Sequence, residues 1–271
     1  MDPVGFTSRL TAAARARETE RPDRLFNDEF AAALAGPEGF AFLDRHWVAV
    51  GGTPRPNFAV RTRFFDDFLL ATARTRGVRQ VVLVAAGLDT RAFRLDWPPG
   101  VRVFEIDQVE VLHYKASILD PLRATPRCER TTVAVDLRAD WSRALLDAGY
   151  RTAEPTAWLL EGLLMYLPDA AVERLLTETA RLSARGSQLG VDTLPRSILL
   201  QMRGFIELYT ERGCPVLFTT DDPLGILARC GWSATLYTAP EEGVRLGRPW
   251  PVPLLPDTPR GALLTAERAA A

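Results

Sequence analysis

The stretch QVVLVAAGLDTRAFRL, residues Gln80 to Leu95, holds the residue types best placed for ligand chemistry. An apolar run leads into a turn where Ala85, Gly87 and Thr90 occupy the places of the three glycines of a dinucleotide-binding G-x-G-x-x-G. Those glycines let backbone approach a pyrophosphate at a helix N-terminus. Here one glycine remains, and Asp89 stands where a diphosphate would lie, so its carboxylate would repel phosphate. The same turn suits a nucleoside without phosphates that carries a cationic amino-acid tail, because an acid or carbonyl oxygens can meet the ammonium. S-adenosylmethionine is such a ligand, and Thr90 in place of the third glycine argues against a nicotinamide cofactor.

Other acids fall at matching places. FEID ends in Asp107, twenty residues beyond Gly87, where a carboxylate can bond both ribose hydroxyls; the plainer alternative is an acid that merely ends a strand. VAVDLRAD places Asp136 and Leu137 where a side-chain acceptor and a backbone group could read an adenine amino group, although Asp136 serves equally as the N-cap of the helix that follows. Glu161 closes AWLLEG at the carboxyl edge of a strand, the side on which such sheets bind ligands. Arg61 and Arg63 read by themselves as solvated helix charges, and Arg91 and Arg94 as partners of carboxylates. Trp158 and Met165 read as packing residues. Should the chemistry need a base, His113, Tyr114, Tyr166 and Tyr209 are the candidates.

These residues need a frame to converge on. Up to Gly77 the chain reads as helices: FNDEFAAALAG stops at Gly36, and FAVRTRFFDDFLLATARTRG stops at Gly77. From Gln80 the pattern changes to seven short apolar runs, VVLVAA, VRVFEID, TTVAVD, AWLLEG, SQLGVDTL, SATLYTA and ALLTAE, separated by helical segments. Unbroken apolar runs suit strands buried on both faces. PDAAVERLLTETARLSARG fits a covering helix, with Pro168 in its first turn, Val172, Leu175, Leu176 and Thr179 on one face, and Gly186 as its stop. The expected fold is a doubly wound, Rossmann-like α/β sheet of seven strands. It forms a single domain over residues 1–271: a helical N-terminal cap over 1–76, a ligand-binding core over 77–194, a lid insertion over 195–223 and C-terminal strands over 224–271. Within the insertion, Met202, Phe205, Ile206, Leu208, Tyr209 and Phe218 are expected to line an apolar pocket. WPPG, GGTPRP and RPWPVPLLPDTPRG (Arg248 to Gly261) mark loops.

Composition narrows the partners. With 47% apolar and 25% charged residues and a net charge of −1, the chain has the profile of a globular protein and no basic footprint for nucleic acid or an anionic membrane. Cys128, Cys214 and Cys230 are widely spaced, and neither they nor the two histidines form a metal-ligand pattern. No metal is expected, and a cytoplasmic location with reduced thiols is. A small-molecule acceptor fits best.

The ordered set VVLVAAGLDTRAFRL, VFEIDQVEVLHYK, VAVDL and LLEGLLMYLP resembles the leucine carboxyl methyltransferase superfamily, from about Thr11 to Trp232. This superfamily includes phosphatase methyltransferases and bacterial O-methyltransferases of polyketide pathways. The resemblance implies S-adenosylmethionine as cofactor, held through its carboxylate by Arg61, with related work by Arg17. It likewise implies ribose contact by Asp107, adenine contact by Asp136 and Leu137, and cofactor-side contact by Glu161. Ala85 departs from the family pattern, which has glycine there, and its methyl would narrow the turn. The implied activity is O-methylation of a carboxylate or phenol on a hydrophobic small molecule. Two alternatives stay open: methylation of a protein C-terminus, for which Arg196, Arg203 and Arg212 could hold the peptide acid, and use of the cofactor without methyl transfer.

Overall fold

The computed structural model describes residues 3–250 and 260–269. Three helices open the chain: α1 (Pro3–Thr19), α2 (Ala31–Ala49) and α3 (Asn57–Thr75). Then follow β1 (Gln80–Val84), α4 (Arg91–Arg94), β2 (Arg102–Asp107), α5 (Val109–Leu119), β3 (Glu129–Ala134), α6 (Trp141–Asp147) and β4 (Thr156–Leu160). A 3-10 turn (Leu164–Tyr166) leads to α7 (Asp169–Arg181) and β5 (Gln188–Thr193). The insertion carries α8 (Ile198–Gln201) and α9 (Arg203–Glu211), and the chain ends through α10 (Pro223–Arg229), β6 (Trp232–Thr238), α11 (Ala239–Arg245) and β7 (Ala262–Arg268). Within the stretch expected as a loop from Arg248 to Gly261, residues 251–259 lie outside the described residues, as do residues 1–2 of the expected cap. Among the described residues no helix is long and apolar enough to cross a membrane.

The seven apolar runs form one sheet in the order β3-β2-β1-β4-β5-β7-β6. β1 to β5 pair in parallel, and β7 runs antiparallel between β5 and β6. Successive side chains of a strand point to opposite faces, so each central strand supplies two cores. Val81, Leu83, Val103 and Leu159 pack beneath the N-terminal helices, whereas Val82, Val84, Phe104, Ile106 and Trp158 pack with α6 and α7 on the other face. Trp158 is wholly buried and its indole N–H donates to Ser183 Oγ at 2.8 Å.

Local chemistry explains where elements stop. α2 is broken at Gly36, the expected stop, whose backbone (φ 56°, ψ 176°) is non-helical, and Pro37 opens a second helical segment that runs on to Ala49. α7 buries the expected face but ends at Arg181, before Gly186. Ser183 N–H there turns to Ala180 O, an i to i−3 bond that tightens the last turn, and Gly186 (φ 86°) then directs the chain toward β5. At Gly190 of β5 an added Cβ would lie 2.9 Å from Phe68, so the absent side chain is what lets α3 lie close on the sheet. That approach brings Arg61 over the ends of the strands.

The turn after β1 is left-handed at both Ala85 (φ 52°) and Gly87 (φ 51°). An L-residue in this region costs about 1–2 kcal/mol, and glycine does not bear that cost. Ala85→Gly is therefore expected to stabilise the protein by about 1 kcal/mol, after allowing for glycine's larger unfolded-state entropy. Gly87→Ala goes the other way, since its Cβ would also stand 2.9 Å from Ser8 Cβ on α1. Urea unfolding of the two variants checks the opposite signs; equal destabilisation of both contradicts the strain at Ala85.

Candidate active site

The carboxyl edges of β1, β2, β4 and β5, with α1 to α3 and α8 to α9 over them, bound a cavity of about 690 Å³. The side toward the strand ends is charged: Asp89, Asp107, Asp136, Glu161 and Asp192 line it, as do Arg15, Arg61, Arg91 and Arg94. The side between α2, α3 and α9 is aromatic, with His46, Trp47, Phe58, Phe205 and Tyr209.

Burial makes the charged side a closed ionic network. Arg61 Nε lies 2.9 Å from Glu161 Oε1, and its Nη1 lies 3.0 Å from Asp192 Oδ2. Arg91 lies 2.7 Å from Asp66 and 2.8 Å from Glu161, and also pairs with Asp89. Arg94 joins Asp66 at 2.6 Å. An unpaired charge removed from water costs several kcal/mol, so each of these groups is held by its partners. Burial would push the Asp89 carboxyl up, yet Arg91, Lys115, Arg94 and Arg15 together outweigh it and hold it down at about 2. Glu161 likewise falls, its burial outweighed by Arg91 and Arg61. Asp192 goes the other way: burial lifts it in spite of Arg61 and the Gly162 N–H, which donates to Oδ1 at 2.6 Å.

Asp107 stands at the end of β2 and accepts the Gly87 N–H at 2.6 Å and the Gln108 N–H at 2.7 Å. It therefore ties the turn after β1 to the neighbouring strand. Asp136 and Leu137 line the cavity just past β3. Asp136 accepts the Arg138 N–H at 2.8 Å and does not cap α6; that cap is Asp140, whose side chain accepts the Arg143 N–H.

Several expected residues are displaced. Arg17 is exposed, 3.6 Å from Glu20, and lies over Phe40 outside the cavity. Arg15, two residues earlier, lines the cavity instead: it is buried, with Nε 2.7 Å from Asp28 and an Nη donating to Leu88 O at 2.6 Å. The two positions differ by about 200° around a helix, so only one can face inward. His113 lies on the solvent side of α5, opposite the buried Val111, Leu112, Lys115 and Leu119, and does not line the cavity. Tyr114 also stays outside, its hydroxyl donating to Leu34 O at 3.0 Å. Tyr166 and Tyr209 do line the cavity, and burial raises both phenols above their ordinary range. Met165 is a wall residue as well as a packing one. Of the insertion, Ile198, Met202, Phe205 and Tyr209 reach the cavity, whereas Leu208 packs in the core and Phe218 joins the opposite core. Ile206 packs against the core and does not line the cavity either. None of Arg196, Arg203 and Arg212 lines the cavity; Arg212 lies over the rings of Phe6 and Phe42.

Among the wall residues that no sequence motif marks are Asp192, His46 and Arg55. His46, on α2, is 5% exposed and stands 5.2 to 5.9 Å, ring centre to ring centre, from Trp47, Phe58, Phe205 and Tyr209. Its Nδ1 lies 3.3 Å from the Tyr209 hydroxyl. Burial first, and the Arg55 charge second, push its pKa down to about 4. The unfolded chain takes up a proton below about 6.5, but the folded one resists until about 4, so stability is full above 6.5 and is lost as pH falls through that window. Urea unfolding at pH 7 and pH 4.5 is expected to show wild type losing about 2–3 kcal/mol more than His46→Gln. An equal loss in both would mean that His46 is protonated in the fold.

The comparisons agree with this geometry. The leucine carboxyl methyltransferase family model matches residues 8–180. A Frankia alni protein named as an S-adenosyl-L-methionine-dependent methyltransferase is 42% identical over 283 residues, covering 100% of this chain and 97% of the relative. One of the same name from Streptomyces coelicolor is 44% identical over 290 residues, covering 99% and 97%. The crystal structure of a DUF574 family protein from Streptomyces avermitilis matches with a TM-score of 0.67 at 14% identity, over 96% of each chain, which supports the fold. The chain belongs to the leucine carboxyl methyltransferase family and is an S-adenosylmethionine-dependent methyltransferase.

Proposed function

We propose that the enzyme is an O-methyltransferase acting on a carboxylate or phenol hydroxyl of a hydrophobic small molecule, in specialised, polyketide-like metabolism in the cytoplasm. The observation that carries this reading is the division of one cavity into a charged side and an aromatic side. A zwitterionic amino acid joined to an uncharged nucleoside matches the charged side, where acids and arginines alternate and no phosphate cradle is needed. The aromatic side matches an apolar acceptor.

In this reading Asp107 holds the ribose hydroxyls, and Asp136 with the Leu137 backbone reads the adenine. Arg61 holds the amino-acid carboxylate: Glu161 and Asp192 occupy its Nε and one Nη1 proton, and the guanidinium fork has further donors to offer. Glu161 and Asp89, both kept ionised by arginines, provide negative charge for the ammonium. Arg15 buttresses the turn through Leu88 O. Ala85 and Gly87 shape the turn against which the ligand rests.

Bound S-adenosylmethionine supplies an activated methyl group on a sulfonium, open to displacement in line with the leaving sulfur. The protein's share is alignment and exclusion of water, and orientation of this kind supplies about 7–11 kcal/mol. A carboxylate acceptor needs no base. A phenol gains from one; His46 is an imidazole on the wall, but a pKa pushed down to about 4 makes it a weak base for that proton.

Incubating the protein with methyl-labelled S-adenosylmethionine and a panel of aromatic acids and phenols is expected to yield S-adenosylhomocysteine with a methylated product, by mass spectrometry. Release of methylthioadenosine would sink the methyl-transfer reading. Calorimetry with S-adenosylhomocysteine tests Arg61: Arg61→Ala, checked for folding by circular dichroism, is expected to weaken binding at least tenfold, with Arg61→Lys between it and wild type. Unchanged affinity in Arg61→Ala overturns that assignment.

A further inference from the structure

The arginines on the cavity wall are not alike. Arg15, Arg61, Arg91, Arg94 and Arg138 each meet a carboxylate of the protein. Arg174 and Arg260 line the rim and are exposed to water. Arg55 is different: it is half-buried, it lines the aromatic side, and among the described residues no carboxylate pairs with it. Its one hydrogen bond is to Val50 O at 3.1 Å, which leaves the rest of a five-donor fork available. This bond fixes it beside His46, because Val50 N–H itself donates to His46 O at 3.0 Å, one helical turn back.

The surroundings give this charge nothing to compensate it. His46 is buried and neutral, the neighbouring walls are the rings of Trp47, Phe58 and Phe205, and of the cavity's acids Asp89, Asp136, Glu161 and Asp192 are engaged with other arginines while Asp107 accepts the Gly87 and Gln108 N–H groups. Asn57, two residues from Arg55 and also on the wall, has a buried Oδ1 without a hydrogen-bond partner. A half-buried guanidinium in an apolar cleft points to a ligand with acceptor oxygens, whereas the Asn57 Oδ1, itself an acceptor, calls for a donor and takes no part in holding an anion.

We propose that Arg55 is the anchor for the acceptor, which binds as an organic carboxylate with its acid on the Arg55 guanidinium and its apolar body against Trp47, Phe58 and Phe205. This rests on the acceptor occupying the aromatic side, as in the proposed function, and adds that the acceptor is an anion. Arg55 thereby selects the substrate, whichever of the acceptor's oxygens is methylated. Planar two-point recognition of a carboxylate is the work a guanidinium does best, so lysine replaces it only in part.

The probes are 2-naphthoate and its uncharged analogue 2-naphthamide, titrated by calorimetry into the full-length protein saturated with S-adenosylhomocysteine. Wild type is expected to bind the acid at least tenfold more tightly than the amide, Arg55→Gln to lose that preference, and Arg55→Lys to regain part of it. S-adenosylhomocysteine affinity should stay the same in both variants, which separates a lost acceptor anchor from a damaged fold. No binding of 2-naphthoate to wild type, equal binding of acid and amide, or an undiminished preference in Arg55→Gln each overturns the proposal. Failure of S-adenosylhomocysteine to bind wild type would instead strike the cofactor assignments of the proposed function.

Discussion

The buried ion pairs that join Arg61, Glu161, Arg91, Asp89, Asp66 and Asp192 link α3, the turn after β1, β4 and β5, and the cavity's charged side exists only while they hold together. Each group has lost water, so removing one partner leaves another exposed to the full cost of desolvation. Arg91 touches three carboxylates and Arg61 two, which places the positive charges between acids that would otherwise repel one another. The network therefore fixes geometry more than it adds stability. It holds β4 and β5 at the register where Glu161 and Asp192 flank one guanidinium.

The turn after β1 depends on the same principle in a lighter form. Gly87 N–H would be a donor at a crowded corner, and Asp107 answers it from the neighbouring strand at 2.6 Å. One acid thus ends β2, secures the turn and lines the cavity. Ala85 tolerates a left-handed backbone because β1, buried along its whole length, and the Asp107 tie leave the turn no other path. Strain at a ligand-bearing turn is bearable where the surrounding sheet over-determines it.

Much of this was legible in the residue pattern. Seven apolar runs named seven strands; for the central β1 and β4, buried along their whole length, an unbroken apolar stretch is what burial on both faces requires, whereas the edge strands β3 and β6 are largely exposed. Asp107, Asp136 and Glu161 could be located because a strand's end and a short spacing fix where an acid must stand. The illegible residues are those placed by helices. α1 is rich in alanine around its circumference, so nothing in ARAR reveals that Arg15, not Arg17, turns inward. His46 and His113 are both helical histidines amid apolar neighbours, and only the docking of α9 on α2 distinguishes a wall residue from a surface one. Asp192 follows a valine in an ordinary strand, and its role emerges only when α3 carries Arg61 across from 131 residues away in sequence.

The separation of the cavity into two sides follows from the order of the chain. The sheet supplies backbone ends and acids at fixed heights, so the part of the cavity it floors has a geometry set by strand register. The helices that close the other part contribute what a helix face can offer, aromatic rings at one-turn spacing and an occasional polar group: Phe205 and Tyr209 on α9, His46 and Val50 along α2, with Phe42 beneath Tyr209 at 5.5 Å. A change in α8 or α9 can reshape this side without moving any strand end. Charge inside the aromatic side is costly and therefore sparse, so a single unpaired arginine there has an influence on what binds that the same residue would lack among the paired charges over β4 and β5.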